Sequence, residues 1–399
     1  MSGPPAGRER LARTALYLGG FLGPFGGGVI VVLIPELQQT FDASAEAVTA
    51  GLTAYLLPFA ALQLVSGTIG ERLGRRRTIR WAFLAYAVTS FGVALTPSIV
   101  PFLVLRALQG AANAFTSPLL LAALAESATE ERLGRSMGTF AAVQTAGMVI
   151  APLCGGLLGA IEPRLAFAVP GVVALLLVAA PLPAGAHAPG ETRARLRDAF
   201  NRRSTAVATA GFLAYLAING VAFLVALRAA DPFGLDTTER GLLLAGFGFA
   251  GVLAGRPAGG LVDGSGPRPV VIGGALVCAA MVAALGLAGS VGVMAAAWLV
   301  AGAGSSFVWA GLNTLAVLSA PANRGGAVSV VGAFKFTGNA VAPVLWLPLY
   351  MAREETAFAA AAVACVAIAL VVLSLGGGPR RVALAAADRA RAAAAAAQQ

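Results

Sequence analysis

Two cations stand in stretches of this chain that are otherwise apolar. Arg106 lies in the run from 99 to 124, and Lys335, the only lysine, lies in the run from 327 to 350. A charge at membrane depth costs on the order of 3 kcal/mol or more unless it faces protein or water. Each therefore calls for a partner or a cavity. Gln109 and Asn113 follow Arg106 by three and seven residues and share its helix face; Asn339 follows Lys335 by one turn. These residue types recognise charge and couple it to movement: a guanidinium stays ionised, an ammonium can release and rebind a proton, and amides bond across helices. Both cations also have a structural reading. Arg106 can tie its helix to backbone carbonyls of the first span, and Lys335 can snorkel toward the interface. None of the 18 carboxylates falls in the middle of an apolar run, and Glu36, just after Pro35, is the borderline case. A cavity holding Arg106 and Lys335 favours a neutral or anionic ligand over a lipophilic cation. If the first span is shifted inward, Glu36 becomes the proton-carrying acid instead. The sequence has no nucleophile with a base at suitable spacing, no acid pair and no metal-ligating cluster, so neither an enzyme nor a cofactor is expected.

The elements that must hold these residues follow from composition. The 399 residues are 58% apolar and 12% charged, with a mean hydropathy of +0.81, as expected of a polytopic membrane protein. Runs of about 20 apolar residues predict twelve spans at 14–38, 45–69, 78–96, 99–124, 136–160, 164–184, 206–230, 240–262, 269–289, 292–318, 327–350 and 357–376. Arginines crowd the connections on one side: Arg8, Arg10 and Arg13, the cluster from Arg72 to Arg80, the loop from Arg193 to Arg203, and the tail from Arg380 to Arg391. Arg164, Arg228, Arg240 and Arg353 are assigned to the other side. By the positive-inside rule both termini are cytoplasmic. That bias explains the net charge of +10 without nucleic acid. Cys154, Cys278 and Cys365 are separated apolar-run residues, expected to pack rather than pair. No cleavable signal is expected at the start. The division is a cytoplasmic N-terminus (1–13), six spans (14–184), a linker (185–205) that includes His187, six spans (206–376) and a cytoplasmic tail (377–399).

The halves repeat each other. Adding 192 carries Gly67, Glu71, Gly74 and Arg76 onto Gly259, Asp263, Gly266 and Arg268, Gly110 onto Gly302, and Arg132 onto Arg324. A shift of 191 carries Gln144, Gly147 and Pro152 onto Lys335, Gly338 and Pro343. Such repeats in transporters place the substrate site near the bilayer midplane between halves, which puts Gln144 with Lys335 and Asn339 beside a central cavity.

Three motifs carry a family resemblance. Gly67-Thr-Ile-Gly70-Glu71-Arg-Leu-Gly74-Arg75-Arg76-Arg resembles the cytoplasmic loop signature of the major facilitator superfamily, with Ile69 for leucine and Glu71 for aspartate. Arg106-Ala-Leu-Gln109-Gly110 resembles its second signature. Gly138, Gly147, Ala151-Pro152 and Gly155-Gly156 match the antiporter pattern of its drug exporters, except at Ala151. The resemblance implies an all-α fold of twelve transmembrane helices in two six-helix bundles. It also implies that Glu71 with Arg75, and Asp263 with Arg268, latch the cytoplasmic side, and that the glycine-rich fifth span bends where the halves meet.

Tyr55, Gln63, Tyr215, Asn219, Trp309 and Asn313 are candidate pocket residues. The run Gly19-Gly20-Phe-Leu-Gly23-Pro24-Phe-Gly26-Gly27-Gly28 lies inside a span with no strand before it, which excludes a nucleotide cradle. A bendable helix kinked at Pro24 is expected there. The expectation is a monomeric, proton-coupled exporter of a hydrophobic neutral or anionic small molecule, working by alternating access in a bacterial inner membrane. The alternatives are an importer of an organic anion or nutrient with the same fold, and a non-transporting membrane sensor.

Overall fold

The computed structural model describes residues 6–127, 130–182, 201–320 and 324–375. The expected linker, its His187 and the expected tail fall largely or wholly outside them. All regular structure among the described residues is helical. The first pass is α1 (Ala6–Gly28), an irregular turn at Val29–Leu33 and α2 (Ile34–Phe41). The next five passes are α3 (Ala45–Leu73), α4 (Arg75–Leu95), α5 with α6 (Ile99–Ala114, Ser117–Ser127), α7 (Glu130–Ile161) and α8 (Leu165–Ala179). The second half opens with α9 (Arg202–Ala214), a π-helical segment at Tyr215–Asn219 and α10 (Ala222–Ala230). It continues with α11 (Thr237–Ser265), α12 (Pro267–Leu287), α13 (Val291–Ser319), α14 (Arg324–Ala352) and α15 (Glu354–Ser374). Eleven of these passes are long and apolar enough to cross a membrane, and α8 is a shorter apolar helix.

The first pass corrects one expectation. α1 runs unbroken through Pro24, and the irregular turn lies at Val29–Leu33. Pro35 enters α2 without an N–H to give the preceding turn, so the backbone tightens upstream of it. Pro24 is accommodated where neighbouring helices pack closely.

The repeat is visible in backbone geometry. Gly74 and Gly266, related by the 192-residue offset, both take positive φ, +92° and +89°, at one-residue joints between helices. Glycine adopts that conformation without steric cost, which lets the chain reverse in one step. A Cβ on Gly110 would strike the Tyr55 carbonyl, and one on Gly302 would strike the Phe247 carbonyl. Gly147 abuts the Phe21 carbonyl as Gly338 abuts that of Phe212. The crossings α5 on α3 and α7 on α1 thus recur as α13 on α11 and α14 on α9. Small residues at these points let backbones approach where lipid supplies no hydrophobic drive.

The molecule has two ends. The terminal end carries Ala6, Ser374 and the joints at Gly74 and Gly266; the distal end carries the turns at 42–44, 96–98, 162–164, 231–236 and 288–290. Several distal turns are capped, Ser44 accepting from the Ala47 N–H and Asp236 forming a capping box with Glu239. The halves meet through α7 against α11 and α3 against α14.

Candidate functional site

Arg106 is sealed within the first half. The residue is completely buried. Its Nη1 donates to the Gly26 carbonyl at 3.1 Å and to Gln109 Oε1 at 2.7 Å, and its Nε donates to the Gly51 carbonyl at 3.5 Å. The guanidinium lies 4.4 Å from the Tyr55 ring centroid and 5.9 Å from that of Phe167. Gln109 Nε2 passes the bonding on to Ser90 Oγ at 2.6 Å. Tyr55 donates its hydroxyl to the Gly23 carbonyl at 3.1 Å. Asn113 packs on Gly23 and accepts from the Thr116 hydroxyl at 2.9 Å. Arg106, Gln109, Asn113 and Tyr55 are thus brought together, but away from Lys335, as a tie between α5, α1 and α3. Of the two readings open for Arg106, this conformation adopts the structural one, and the expectation of a cavity shared with Lys335 is corrected. Backbone carbonyls, Gln109 and aromatic faces partner the guanidinium through Nε and Nη1, while Nη2 is buried without a hydrogen-bond acceptor.

Lys335 is held differently. It lies half-buried near the middle of α14, with Nζ 4.6 Å from the Trp309 ring centroid and 4.8 Å from that of Tyr215. Tyr215 meets Trp309 edge-on at 4.6 Å and Phe336 at 5.7 Å, and Phe336 meets Phe59 of the first half edge-on at 4.7 Å. No carboxylate or hydrogen-bond acceptor engages the ammonium among the described residues. One turn toward the terminal end, the Cβ side of Gly332 faces open space. One turn the other way, Ala340 is fully buried and its carbonyl accepts from Thr53 of α3. The α14 face that carries Lys335 is therefore open at Gly332, toward the terminal end, and closed at Ala340 on the other side.

Asn339 shares the α14 face with Lys335 and is half-buried. Asn219 ends the π-helical segment that begins at Tyr215, and its Oδ1 is buried without a partner; such segments mark functional positions in helices. Asn313, one turn beyond Trp309, is exposed. Gln144 is half-buried on α7, which packs on α1 and α11 rather than on α14.

The distal end joins the halves. Glu36 Oε1 accepts from Arg240 and from the Thr237 hydroxyl, both on α11. Beneath this, a Cβ on Gly156 would lie 2.6 Å from the Thr237 carbonyl and 3.0 Å from the Gly241 Cα, while Gly241 faces the Pro152 carbonyl at 2.6 Å. Gly155 lies against Val29 and Val32 of the irregular turn. The glycines of α7 thus carry two crossings, one onto the first pass and one onto the other half.

Arg228 and Arg240, assigned to the side opposite the arginine clusters, flank the distal turn at 231–236. Both are buried helix residues with carboxylate partners: Arg240 with Glu36, and Arg228 with Glu354 and the Ala288 carbonyl at 3.1 Å. One signal was available, because the 192-residue offset carries Glu36 onto Arg228, marking both positions as repeat-related charges at helix ends.

At the terminal end, Asp263 is exposed, and Arg268 has Nε and Nη2 buried without partners. The Asp263–Arg268 latch is not formed here. Gly67, the Glu71 side chain and Gly138 lie outside what is described in detail, so the Glu71–Arg75 latch is not resolved. Arg76 bonds to the Leu182 carbonyl within its own half.

The family model described as Major Facilitator Superfamily matches residues 16–205 and again 207–397. The chain belongs to the Major Facilitator Superfamily. Among relatives from Mycobacterium tuberculosis, the chain is 31% identical to the drug efflux pump JefA over 152 residues, covering 38% of this chain and 30% of that one. It is 34% identical to a multidrug resistance protein B homolog over 163 residues, covering 39% and 30% respectively. The matches thus span less than a third of the length of these relatives. Among solved structures, the xylose transporter XylE from E. coli superposes with a TM-score of 0.74 at 18% identity, covering 93% of this chain and all of that one. At that identity the likeness concerns the superfamily fold.

Proposed function

We propose that this superfamily member exports a hydrophobic neutral or anionic small molecule by alternating access, coupled to protons, as a monomer in a bacterial inner membrane. The observation that carries the reading is the half-buried Lys335 ammonium, without a described acceptor, on an α14 face open at Gly332 toward the terminal end and closed at Ala340. Arginine clustering supports assigning the terminal end to the cytoplasm, with residues 14–184 and 206–376 as the moving bundles and 1–13, 185–205 and 377–399 as cytoplasmic segments. In that orientation the conformation is inward-facing. The distal closure through Glu36, Arg240, Thr237 and the Gly156–Gly241 crossing supports that reading, as does the unformed Asp263–Arg268 latch.

Export rather than import is supported by the antiporter-like glycine row of α7 and by a drug efflux pump and a multidrug resistance protein B homolog among its relatives. Glu36, within the only described carboxylate bond between the halves, is the group whose protonation would release the distal side and couple protons to the cycle. Alternating access by rocking of repeat halves around a fixed central site is the general physics of such folds.

The test is flux from proteoliposomes of known sidedness under an imposed pH gradient, with matched neutral, anionic and cationic aromatic compounds. Movement of neutral or anionic compounds toward the distal side, with counter-movement of protons, is the expected result. Movement confined to cations, or uptake from the distal side alone, overturns the reading.

A further inference from the structure

We propose that the ligand taken at Lys335 is a planar aromatic monoanion, whose acidic group pairs with the ammonium and whose ring stacks on the half-buried Trp309. This rests on the transport reading above and specifies its substrate class.

The charge count comes first. Arg106 is sealed behind carbonyls and Gln109, and Arg228 and Arg240 are each matched by a carboxylate. Arg268 lies in the first turn of α12, at the terminal mouth. Arg106 has no counterion either but is completely buried, so Lys335, half-buried, is the described span cation without a counterion that a ligand can reach. Its two ring contacts stabilise the ammonium without accepting a proton, so its N–H donors remain available to an anion. One unmatched positive charge binds one negative charge; a second acidic group on the ligand would be desolvated without a partner.

Shape comes second. The aromatic residues around the ammonium meet edge-on or steeply tilted: Tyr215 and Trp309 at 67°, Tyr215 and Phe336 at 69°, Phe59 and Phe336 at 83°. Tyr215 and Phe59 are buried in this cluster, so the half-buried Trp309 and Phe336 are the rings that a flat guest can reach. Trp309 is only half-buried, and open space lies on the Gly332 side. An aliphatic acid would satisfy the charge and lose the stacking; a neutral aromatic would keep the stacking and leave the ammonium unmatched.

The experiment is calorimetric titration of the full-length detergent-purified protein with 2-naphthoate, 2-naphthamide, cyclohexanecarboxylate and 2,6-naphthalenedicarboxylate. The expected result is 2-naphthoate binding about tenfold or more tighter than each of the other three. Lys335→Gln should abolish the preference for acid over amide while the amide still binds, and Lys335→Arg should retain it. Trp309→Leu should weaken acid and amide alike. Size-exclusion profiles establish that each variant is folded, and Lys335→Arg provides the comparison if Lys335→Gln is not. Equal binding of acid and amide by the natural protein, a preference that survives Lys335→Gln, tighter binding of the dianion, or no binding of any probe overturns the proposal. Flux separates the two levels. If 2-naphthoate binds as expected but is not carried, the transport reading fails and the site assignment stands. If a neutral compound is carried while 2-naphthoate does not bind, the site assignment fails alone.

Discussion

The two halves share a backbone plan and differ in what they bury at its centre. Gly110 against the Tyr55 carbonyl and Gly302 against the Phe247 carbonyl are the same helix crossing. Beside the first stands Arg106 over Tyr55, with Gln109 and Ser90 completing a polar chain. The offset of 192 replaces Arg106 with Trp298, Tyr55 with Phe247, Gln109 with Ala301 and Ser90 with Val282. Trp298 stacks at 4.5 Å on Phe247 and donates its indole N–H to the Leu244 carbonyl at 3.4 Å. An aromatic pair with one hydrogen bond thus does in the second half what a guanidinium on an aromatic ring does in the first. The crossing is constrained by backbone contact, while the filling beside it differs between the halves. With this crossing made apolar, the cation near the middle of the second half is Lys335 on α14, beside Tyr215 and Trp309.

The largest effect should come from the shared crossing. Gly110→Val and Gly302→Val each drive a Cβ into a backbone carbonyl that cannot step aside, so both should fail to yield folded protein by fluorescence-detected size exclusion. If one half tolerates the change, the two crossings are not equivalent.

The fillings should then separate. Arg106→Lys cannot hold the Gly26 and Gly51 carbonyls and Gln109 at once, and a loss on the order of 3 kcal/mol is expected. Trp298→Phe keeps the ring stack and loses one hydrogen bond, for about 1–2 kcal/mol. Melting temperatures in one detergent measure both, and an equal loss would mean that Arg106 is no more than an aromatic substitute.

A smaller effect is expected where the halves meet. Glu36→Gln should loosen the distal end by about 1–3 kcal/mol, read as faster hydrogen exchange in 34–42 and 235–243. If exchange there is the same in the variant and the natural protein, another contact controls the distal closure. The smallest effect is expected for Asp263→Asn. Asp263 is exposed and makes no described ion pair, so the change should stay within about 0.5 kcal/mol; a larger fall in Tm would show that a terminal-end latch is populated.

Much of this was legible in the sequence. Apolar run length placed the passes, because hydrocarbon thickness demands it, and the constant offset exposed the duplication. Arg106 and Gln109, three residues apart and so on one helix face, are joined by a hydrogen bond. Boundaries were less legible. α7 extends to Glu130 and α9 begins at Arg202, both beyond the apolar runs, while α8 ends at Ala179, short of the run proposed for it. Caps and charged first turns continue or end helices independently of hydropathy, as the Asn201 capping box does for α9. The break in the first pass was expected at Pro24 and lies ahead of Pro35, because a proline's missing N–H is felt in the turn before it.

By itself, the sequence determined the membrane class, the duplicated helical plan, the glycines where backbones touch and the scarcity of charge inside the spans. These follow from composition and spacing along one chain. Whether a given cation is sealed, paired or left open was decided only by the tertiary structure. Arg240 finds Glu36 at a separation of 204 residues and Arg228 finds Glu354 at 126, whereas Lys335 meets aromatic rings from two other segments and no acid. A charge is stabilised by what surrounds it in space, and helix packing brings those groups from distant parts of the chain.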